Sequence, residues 1–186
     1  MKFSARSDKS SSRYDSAATS AVGSAMAAGR DVNLMAKGAG PRSDISIIGS
    51  TLSAGRNVSL MAEGDLLLQA ARNAAEFQSS SKDSGGSVGI GYSTGQTTGL
   101  TLELGASIAR GTEHGKEESW THSHVTAGET LRLQSGGDTT LRGATGHSER
   151  IVANIGGDLR IESLQDKSRY ASKTRNGDIE ISLCLP

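Results

Sequence analysis

The stretch that decides the fold occurs twice in close succession: residues 28–38 read AGRDVNLMAKG, and residues 54–64 read AGRNVSLMAEG. A third copy, AGETLRLQSGG, occupies residues 127–137. Shorter versions follow at residues 156–163 (GGDLRIES) and 177–182 (GDIEIS). Self-similarity at a spacing of about 20–50 residues is the signature of repeat architectures. The chain is therefore predicted to be built from stacked copies of one unit.

Each copy has the alternation of apolar and polar residues that is typical of a half-buried β-strand. The predicted inward-facing pairs are Val32/Leu34, Val58/Leu60, Leu66/Leu68, Leu131/Leu133, Leu159/Ile161 and Ile179/Ile181. Gly-Arg-Asp, Gly-Arg-Asn and Gly-Gly-Asp precede the strands, and we expect these residues to form corners with positive φ. Short strands between such corners predict a β-solenoid, in which equivalent positions of neighbouring coils stack about 4.8 Å apart.

The composition agrees with a narrow core. Of the 186 residues, 24 are glycine and only 3% are aromatic, so small aliphatic side chains must fill the interior. The formal net charge is zero and there is no basic run, so the electrostatic signature of a nucleic-acid-binding protein is missing. One cysteine, Cys184, excludes an internal disulfide. We also expect no transmembrane segment and no signal peptide in this chain.

The patterns divide the chain into five predicted segments. These are a partial, weakly ordered repeat (1–27), a first set of coils (28–77), a Gly/Ser-rich hairpin excursion that returns to the coils (78–124), a second set of coils (125–181) and an aberrant tail (182–186). Neither end shows a capping unit of the kind that solenoids need. We therefore expect the chain to be part of a longer protein.

The hairpin within the third segment is predicted from two further alternating runs. Residues 88–92 and residues 100–104 each place apolar side chains at every second position. The intervening residues 94–99 contain two glycines and three threonines, a composition typical of a turn. We expect this hairpin to project from the coils or to lie along their side.

The ordered series of copies resembles the haemagglutinin repeats of large bacterial two-partner-secretion exoproteins. That group includes filamentous haemagglutinin-like adhesins and contact-dependent growth-inhibition toxins. The resemblance covers about residues 8–180 and rests on residues 48–58 (IGSTLSAGRNV), 127–131 (AGETL), 135–144 (SGGDTTLRGA) and 155–166 (IGGDLRIESLQD). It implies a right-handed parallel β-helix that forms part of a long filament.

The resemblance also implies a non-enzymatic function. Such a filament serves in adhesion or carries a C-terminal toxin to neighbouring bacteria, and the sequence does not separate these two roles. The implied partners are an outer-membrane two-partner-secretion transporter and an unknown receptor on the target cell. The implied location of the full-length protein is extracellular or on the bacterial cell surface.

The most suggestive candidate metal site lies in residues 120–124, WTHSH. His122 and His124 are two positions apart and would face the same side of a strand, where they could chelate a metal ion. Further ligands would have to come from elsewhere, such as Glu118 or His114. Because the ligand set is incomplete, the pattern favours two exposed histidines of an ordinary coil, and we predict no metal site.

Acidic residues raise the alternative of a β-helix polysaccharide lyase or hydrolase. Glu117, Glu118, Glu162 and Asp166 could suggest the paired carboxylates that glycoside cleavage requires. They alternate with Arg and Lys on the predicted outer face, however, which favours a solvated ladder of paired charges. We therefore predict no catalytic residue, no cofactor and no enzymatic activity.

Overall fold

The computed structural model describes residues 2–93 and 99–185, which form an all-β structure. The strands, in chain order, are β1 Lys2–Thr19, β2 Ala25–Ala28, β3 Asp31–Ala36, β4 Ile45–Ile48, β5 Thr51–Ala54, β6 Asn57–Ala62, β7 Leu66–Gln69, β8 Ala71–Ser93, β9 Gly99–Thr121, β10 Ser123–Ala127, β11 Thr130–Ser135, β12 Thr139–Arg142, β13 Ala144–His147, β14 Arg150–Ile155, β15 Leu159–Glu162 and β16 Lys167–Leu185. Within these ranges the only helical segment is a 3₁₀ turn at Gly40–Arg42. The prediction of an all-β chain is confirmed.

The chain forms two compact units. The first, which we call the sheet unit, comprises the described residues of Met1–Ala17, Ala75–Lys116 and Ser168–Pro186. The second, the coil unit, comprises Ala18–Ala74 and Glu117–Lys167.

The coil unit consists of four coils, each of which contributes one short strand to each of three parallel sheets. The strand orders are β2-β5-β10-β13, β3-β6-β11-β14 and β4-β7-β12-β15. Equivalent residues of successive coils are paired, as Val32, Val58, Leu131 and Ile151 are across the second sheet. Parallel sheets stacked coil upon coil in this way are consistent with a β-helix.

The inward-facing side chains form one hydrophobic core. In coil 2 (β5–β7) and coil 3 (β10–β12) every predicted pair is buried: Val58, Leu60, Leu66, Leu68, Leu131 and Leu133. These side chains are enclosed because a coil lies on either side of each one. Burial of such a side chain contributes roughly 1.5–3 kcal/mol to stability, so the stack of aliphatic side chains is the main source of cohesion in this unit.

The burial prediction is wrong for the last two pairs. Leu159 and Ile161 are 51% and 70% exposed, because β15 is the edge strand of its sheet and only one coil packs against it. Ile179 and Ile181 are 66% and 50% exposed, because they lie on β16 in the sheet unit and not on a coil. A period of two identifies a strand, but it does not reveal whether a second layer covers it.

Glycines at the coil corners are required for a different reason from the one predicted. In the described residues, positive φ occurs at Gly38, Gly40, Gly49 and Gly143, and not at the glycines that begin the repeats. At those corners the constraint is space. A Cβ atom on Gly55 would overlap the carbonyl of Gly29, and one on Gly128 would overlap the carbonyl of Gly55. The prediction of left-handed corners is therefore wrong at these positions.

The sheet unit is a four-stranded sheet with the order β1-β8-β9-β16. The alternating runs at 88–92 and 100–104 lie within the neighbouring strands β8 and β9. Gly85 lies opposite Ser107, and Gly115 lies opposite Phe77, so these two strands run antiparallel. Residues 94–98, where the turn was predicted, fall outside the described residues. Residues 2–19 form strand β1, and the five segment boundaries remain a prediction.

We predict that Gly55→Ala destabilises the coil unit, whereas Gly29→Ala does not. The two glycines occupy the same corner of neighbouring coils, but a Cβ atom on Gly29 would meet nothing within 4 Å. Overpacking of this kind costs about 1–3 kcal/mol, and replacement of glycine at an unobstructed site is neutral or slightly stabilising. Urea unfolding of both variants measures the difference. Equal stability of the two variants would refute the spatial constraint.

Candidate functional site

The two histidines of the predicted metal candidate lie side by side at the start of β10. Their ring centroids are 6.4 Å apart. Ser123, between them, points inward, is fully buried and donates a hydrogen bond from Oγ to the Gln69 carbonyl at 2.6 Å. Because alternate residues point to opposite sides of a strand, this inward serine places His122 and His124 on the outer side together.

Each of these histidines already has a neighbour in the next coil. His122 Nδ1 lies 2.8 Å from the carbonyl oxygen of Gly143, and His124 Nδ1 lies 2.6 Å from Thr145 Oγ1. The first contact requires that His122 Nδ1 carry the proton, since a carbonyl oxygen can only accept. Both contacts hold the rings against the coil surface.

The further ligands considered for this site have other partners. Glu118 forms an ion pair with Arg72, with Nε and Oε1 3.1 Å apart. His114 Nε2 lies 3.8 Å from Glu76 Oε1. Across residues 2–93 and 99–185, no group of three or more His, Cys, Asp or Glu side chains is arranged to hold a metal ion. The prediction that these are histidines of an ordinary coil stands as a prediction.

The acidic residues considered for catalysis lie mostly beside cations or backbone donors. Glu162 Oε2 lies 3.1 Å from Arg142 Nε, although the two groups are not aligned as a hydrogen bond. Asp166 Oδ1 accepts a hydrogen bond from the Trp120 backbone N–H at 3.1 Å. Glu117 is exposed on β9. Three of the four carboxylates thus have a partner on another strand, and the absence of a catalytic residue remains a prediction.

A column of aspartates at one corner of the coils was not foreseen as a unit. Asp44, Asp65, Asp138 and Asp158 occupy the same position in successive coils, immediately before the strands of the third sheet. Oδ1 of each of the first three aspartates accepts the backbone N–H of the aspartate in the next coil, and all three N–O distances are 2.8 Å. We call this column the aspartate ladder. It satisfies backbone donors that the corner leaves without a sheet partner.

The aspartate ladder explains why glycine comes before aspartate in three of the coils. A Cβ atom on Gly64, Gly137 or Gly157 would overlap Oδ1 of the aspartate in the preceding coil. The recurrence of Gly-Asp at the starts of strands was visible in the sequence. What the sequence could not show was that the carboxylate of one copy bonds to the backbone of the next.

A second connection between coils involves Asp31 and the residues stacked on it. Asn57 Nδ2 donates to Asp31 Oδ1 at 2.9 Å, and Arg56 forms an ion pair with Oδ2 at 2.7 Å. The Asn57 hydrogen bond is the largest influence and holds the pKa of Asp31 below its ordinary value. Desolvation opposes this shift, and the Arg56 charge adds to it.

The comparisons with known proteins agree with the repeat architecture. The protein-family model described as "Hemagglutinin repeat" matches residues 3–177, which confirms the resemblance inferred from the repeats. A protein named "Deoxyribonuclease CdiA" from Dickeya dadantii (strain 3937) is 38% identical over 166 residues, covering 89% of this chain and 5% of its own length. No solved structure gives a significant match.

Two further relatives carry related names. The "tRNA nuclease CdiA" of Escherichia coli O6:K15:H31 (strain 536 / UPEC) is 37% identical over 177 residues, covering 93% of this chain. The "Toxin CdiA" of Yersinia pestis is 37% identical over 177 residues, covering 95% of it. The chain spans only 5–6% of the length of these relatives. Among its described residues, no helix is long and apolar enough to cross a membrane.

We predict that Asp65→Ala weakens the aspartate ladder, whereas Asp65→Asn preserves it. Asparagine keeps an oxygen at Oδ1 to accept the Asp138 N–H, and alanine does not. The lost hydrogen bond is expected to cost about 1 kcal/mol of unfolding free energy, measurable by urea denaturation. An equal loss in both variants would show that the charge matters and the acceptor does not.

We further predict that Asn57→Ala raises the pKa of Asp31 toward its ordinary value. Because the pKa of Asp31 is lowered in the folded state, its contacts stabilise the fold above the ordinary pKa of an aspartate, and this stability is lost as the pH falls through the lowered value. Titration of the Asp31 carboxyl carbon by NMR measures the shift. Asn33→Ala, on the neighbouring exposed surface, is the control and should leave the pKa unchanged.

Proposed function

Because the chain belongs to the hemagglutinin-repeat family, we propose that it is a segment of a large secreted exoprotein that acts at the bacterial cell surface. The observation that supports this most strongly is the family match over residues 3–177. The chain spans only 5–6% of relatives that are named as toxins or nucleases. One segment of an extended repeat array would occupy such a small share of a long relative.

The proposed architecture is a right-handed parallel β-helix with a hairpin excursion. Three parallel sheets that each receive one strand per coil support the helix. The right hand is favoured because connections between parallel strands of a sheet almost always take it. In a solenoid each coil contacts only its neighbours, so further coils extend the structure without altering its core. This property suits a stalk.

We propose that this segment has no enzymatic activity of its own. The nuclease activities in the relatives' names then belong to parts of those proteins outside the matched segment. In this chain Glu118 and Glu162 lie beside arginines, and Asp166 accepts a backbone hydrogen bond. The same contacts argue against a polysaccharide lyase or hydrolase. The full-length protein would display an adhesive region or deliver a C-terminal toxin to neighbouring bacteria.

The proposed partners follow from this role. An outer-membrane transporter of two-partner secretion would export the full-length protein, and a receptor on the target cell would bind it. We assign neither contact to particular residues of this chain. The segment's own contribution would be to hold other parts of the protein at a distance from the cell.

A domain exchange tests the stalk function. We predict that the matched 177 residues of the Escherichia coli relative can be replaced by this chain with surface display and growth inhibition of neighbouring cells retained. The matched control pair is the same exchange carrying Gly55→Ala or Gly29→Ala, since only the first disturbs the coil stack. Loss of inhibition despite normal surface display would contradict a purely supporting role.

The enzymatic alternative is tested on the purified chain. Incubation with DNA, tRNA and acidic polysaccharides is expected to leave all three intact. Turnover of a polysaccharide that disappears in Glu118→Gln or Glu162→Gln, with the fold unchanged by circular dichroism, would overturn the proposal.

A further inference from the structure

The sheet unit has two chemically different faces. Phe77 on β8 lies 6.3 Å from the Tyr14 ring and 6.2 Å from the Tyr170 ring, centroid to centroid, and covers Gly115 on β9. These contacts place even-numbered residues of β1 and β16, and odd-numbered residues of β8 and β9, on one face. Away from the rings, toward the residue-93 end of β8, this face is polar.

The opposite face is identified by its own contacts. Glu76 of β8 and Lys116 of β9 form an ion pair at 3.0 Å. A Cβ atom on Gly177 of β16 would lie 3.6 Å from Ile108 Cγ2 of β9. Even-numbered residues of β8 and β9 therefore share this face with odd-numbered residues of β16 and β1.

Among the described residues of that opposite face, ten large apolar side chains besides Tyr92 lie exposed on neighbouring strands. Their exposed fractions run from 42% to 67%. They are Phe3 of β1, Val88 and Ile90 of β8, Leu100, Leu104 and Ile108 of β9, and Ile179, Ile181, Leu183 and Leu185 of β16. We call this set the apolar patch. Contiguous exposed apolar surface of this kind marks an interaction site.

Charged side chains begin where the apolar patch ends. Lys82, Arg110 and Arg175 follow on β8, β9 and β16, in the register given by the glycine contacts. None of the three forms an ion pair among the described residues. Like charges on adjacent strands are unfavourable, so this basic row sets a boundary that an apolar partner would not cross.

We propose that the apolar patch is a homodimer interface, in which it packs face to face with the apolar patch of a second copy of this chain. A buried aliphatic side chain corresponds to roughly 60–120 Å² of apolar surface, so ten half-exposed ones supply roughly 300–600 Å² per copy. Two copies together bury roughly 600–1,200 Å², a range that reaches the lower limit of about 1,000 Å² for a specific interface. Two sheets with apolar faces pack about 10 Å apart.

The basic row selects the orientation of the two copies. In a parallel overlap, Lys82, Arg110 and Arg175 of one copy would face the same residues of the other across the interface. In an antiparallel overlap the two rows lie at opposite ends of the shared apolar area. Both overlaps are two-fold symmetric and isologous, and the basic row selects the antiparallel one. This inference goes beyond the proposed function and does not depend on it.

The test compares the same charge substitution on the two faces. Sedimentation velocity of the full chain over a range of concentrations measures the dimer dissociation constant. Leu104→Lys/Ile181→Lys buries two unpaired charges and should raise this constant at least about tenfold. Ser107→Lys/Ser182→Lys adds the same charges to the polar face of β9 and β16 and should leave it unchanged. Circular dichroism confirms that both variants fold.

Three results would overturn the proposal. The first is a wild-type chain that stays monomeric up to about 200 µM, well above a micromolar dissociation constant. The second is a dimer equally weakened by both double variants. The third is a monomeric chain that co-sediments with anionic phospholipid vesicles through the apolar patch, since the partner would then be a lipid surface and not a second copy.

Discussion

The distance between neighbouring strands is the constraint on which the coil unit depends. Backbone hydrogen bonds hold successive coils about 4.8 Å apart, so every residue lies directly against its counterpart in the next coil. Only side chains that tolerate a copy of themselves at that distance can recur. Aliphatic residues such as Val58 and Leu131 do so inside. At corner positions such as Gly55 and Gly128, even a methyl group would overlap the backbone of the preceding coil, so only glycine fits.

The same constraint makes polar contacts repeat. The aspartate ladder joins Asp44, Asp65, Asp138 and Asp158 through the same 2.8 Å hydrogen bond in each step. Gly64, Gly137 and Gly157 precede the aspartates of the last three coils. Because they lack a side chain, they leave room for the carboxylate of the preceding coil. The glycine and the aspartate are thus both needed for this hydrogen bond between coils, and a substitution of either residue would disturb it.

Much of the fold could be predicted from the sequence because the repeat reports on local contacts. The recurrence of Val-x-Leu and Leu-x-Leu identified the strands, and coils 2 and 3 bury those pairs. The prediction failed where burial depends on what lies beyond the strand, as at Ile161 and Ile181. It also attributed the corner glycines to backbone conformation, because the close approach of Gly55 to Gly29 arises only when coils stack.

The candidate site was predicted less completely than the fold. The shared side of His122 and His124 followed from strand alternation, and their rings do lie near each other. Their bonds to Gly143 and Thr145 involve the following coil and have no local sequence signal. The alternation at 88–92 and 100–104 predicted a hairpin, whereas the four-stranded sheet also includes β1 and β16, which come from opposite ends of the chain.

The pairing of coils 2 and 3 shows that the length of chain between two paired coils can differ widely. Asp31 bonds to Asn57 across 26 residues, Asp138 to Asp158 across 20, and Asp65 to Asp138 across 73, yet each step joins equivalent positions. The entropic free-energy cost of closing a loop rises only slowly with loop length. A long insertion between two coils therefore lowers stability only slightly more than a short one. A change in the length of the chain between Ala70 and His122 is therefore expected to leave the pairing of coils 2 and 3 in the same register.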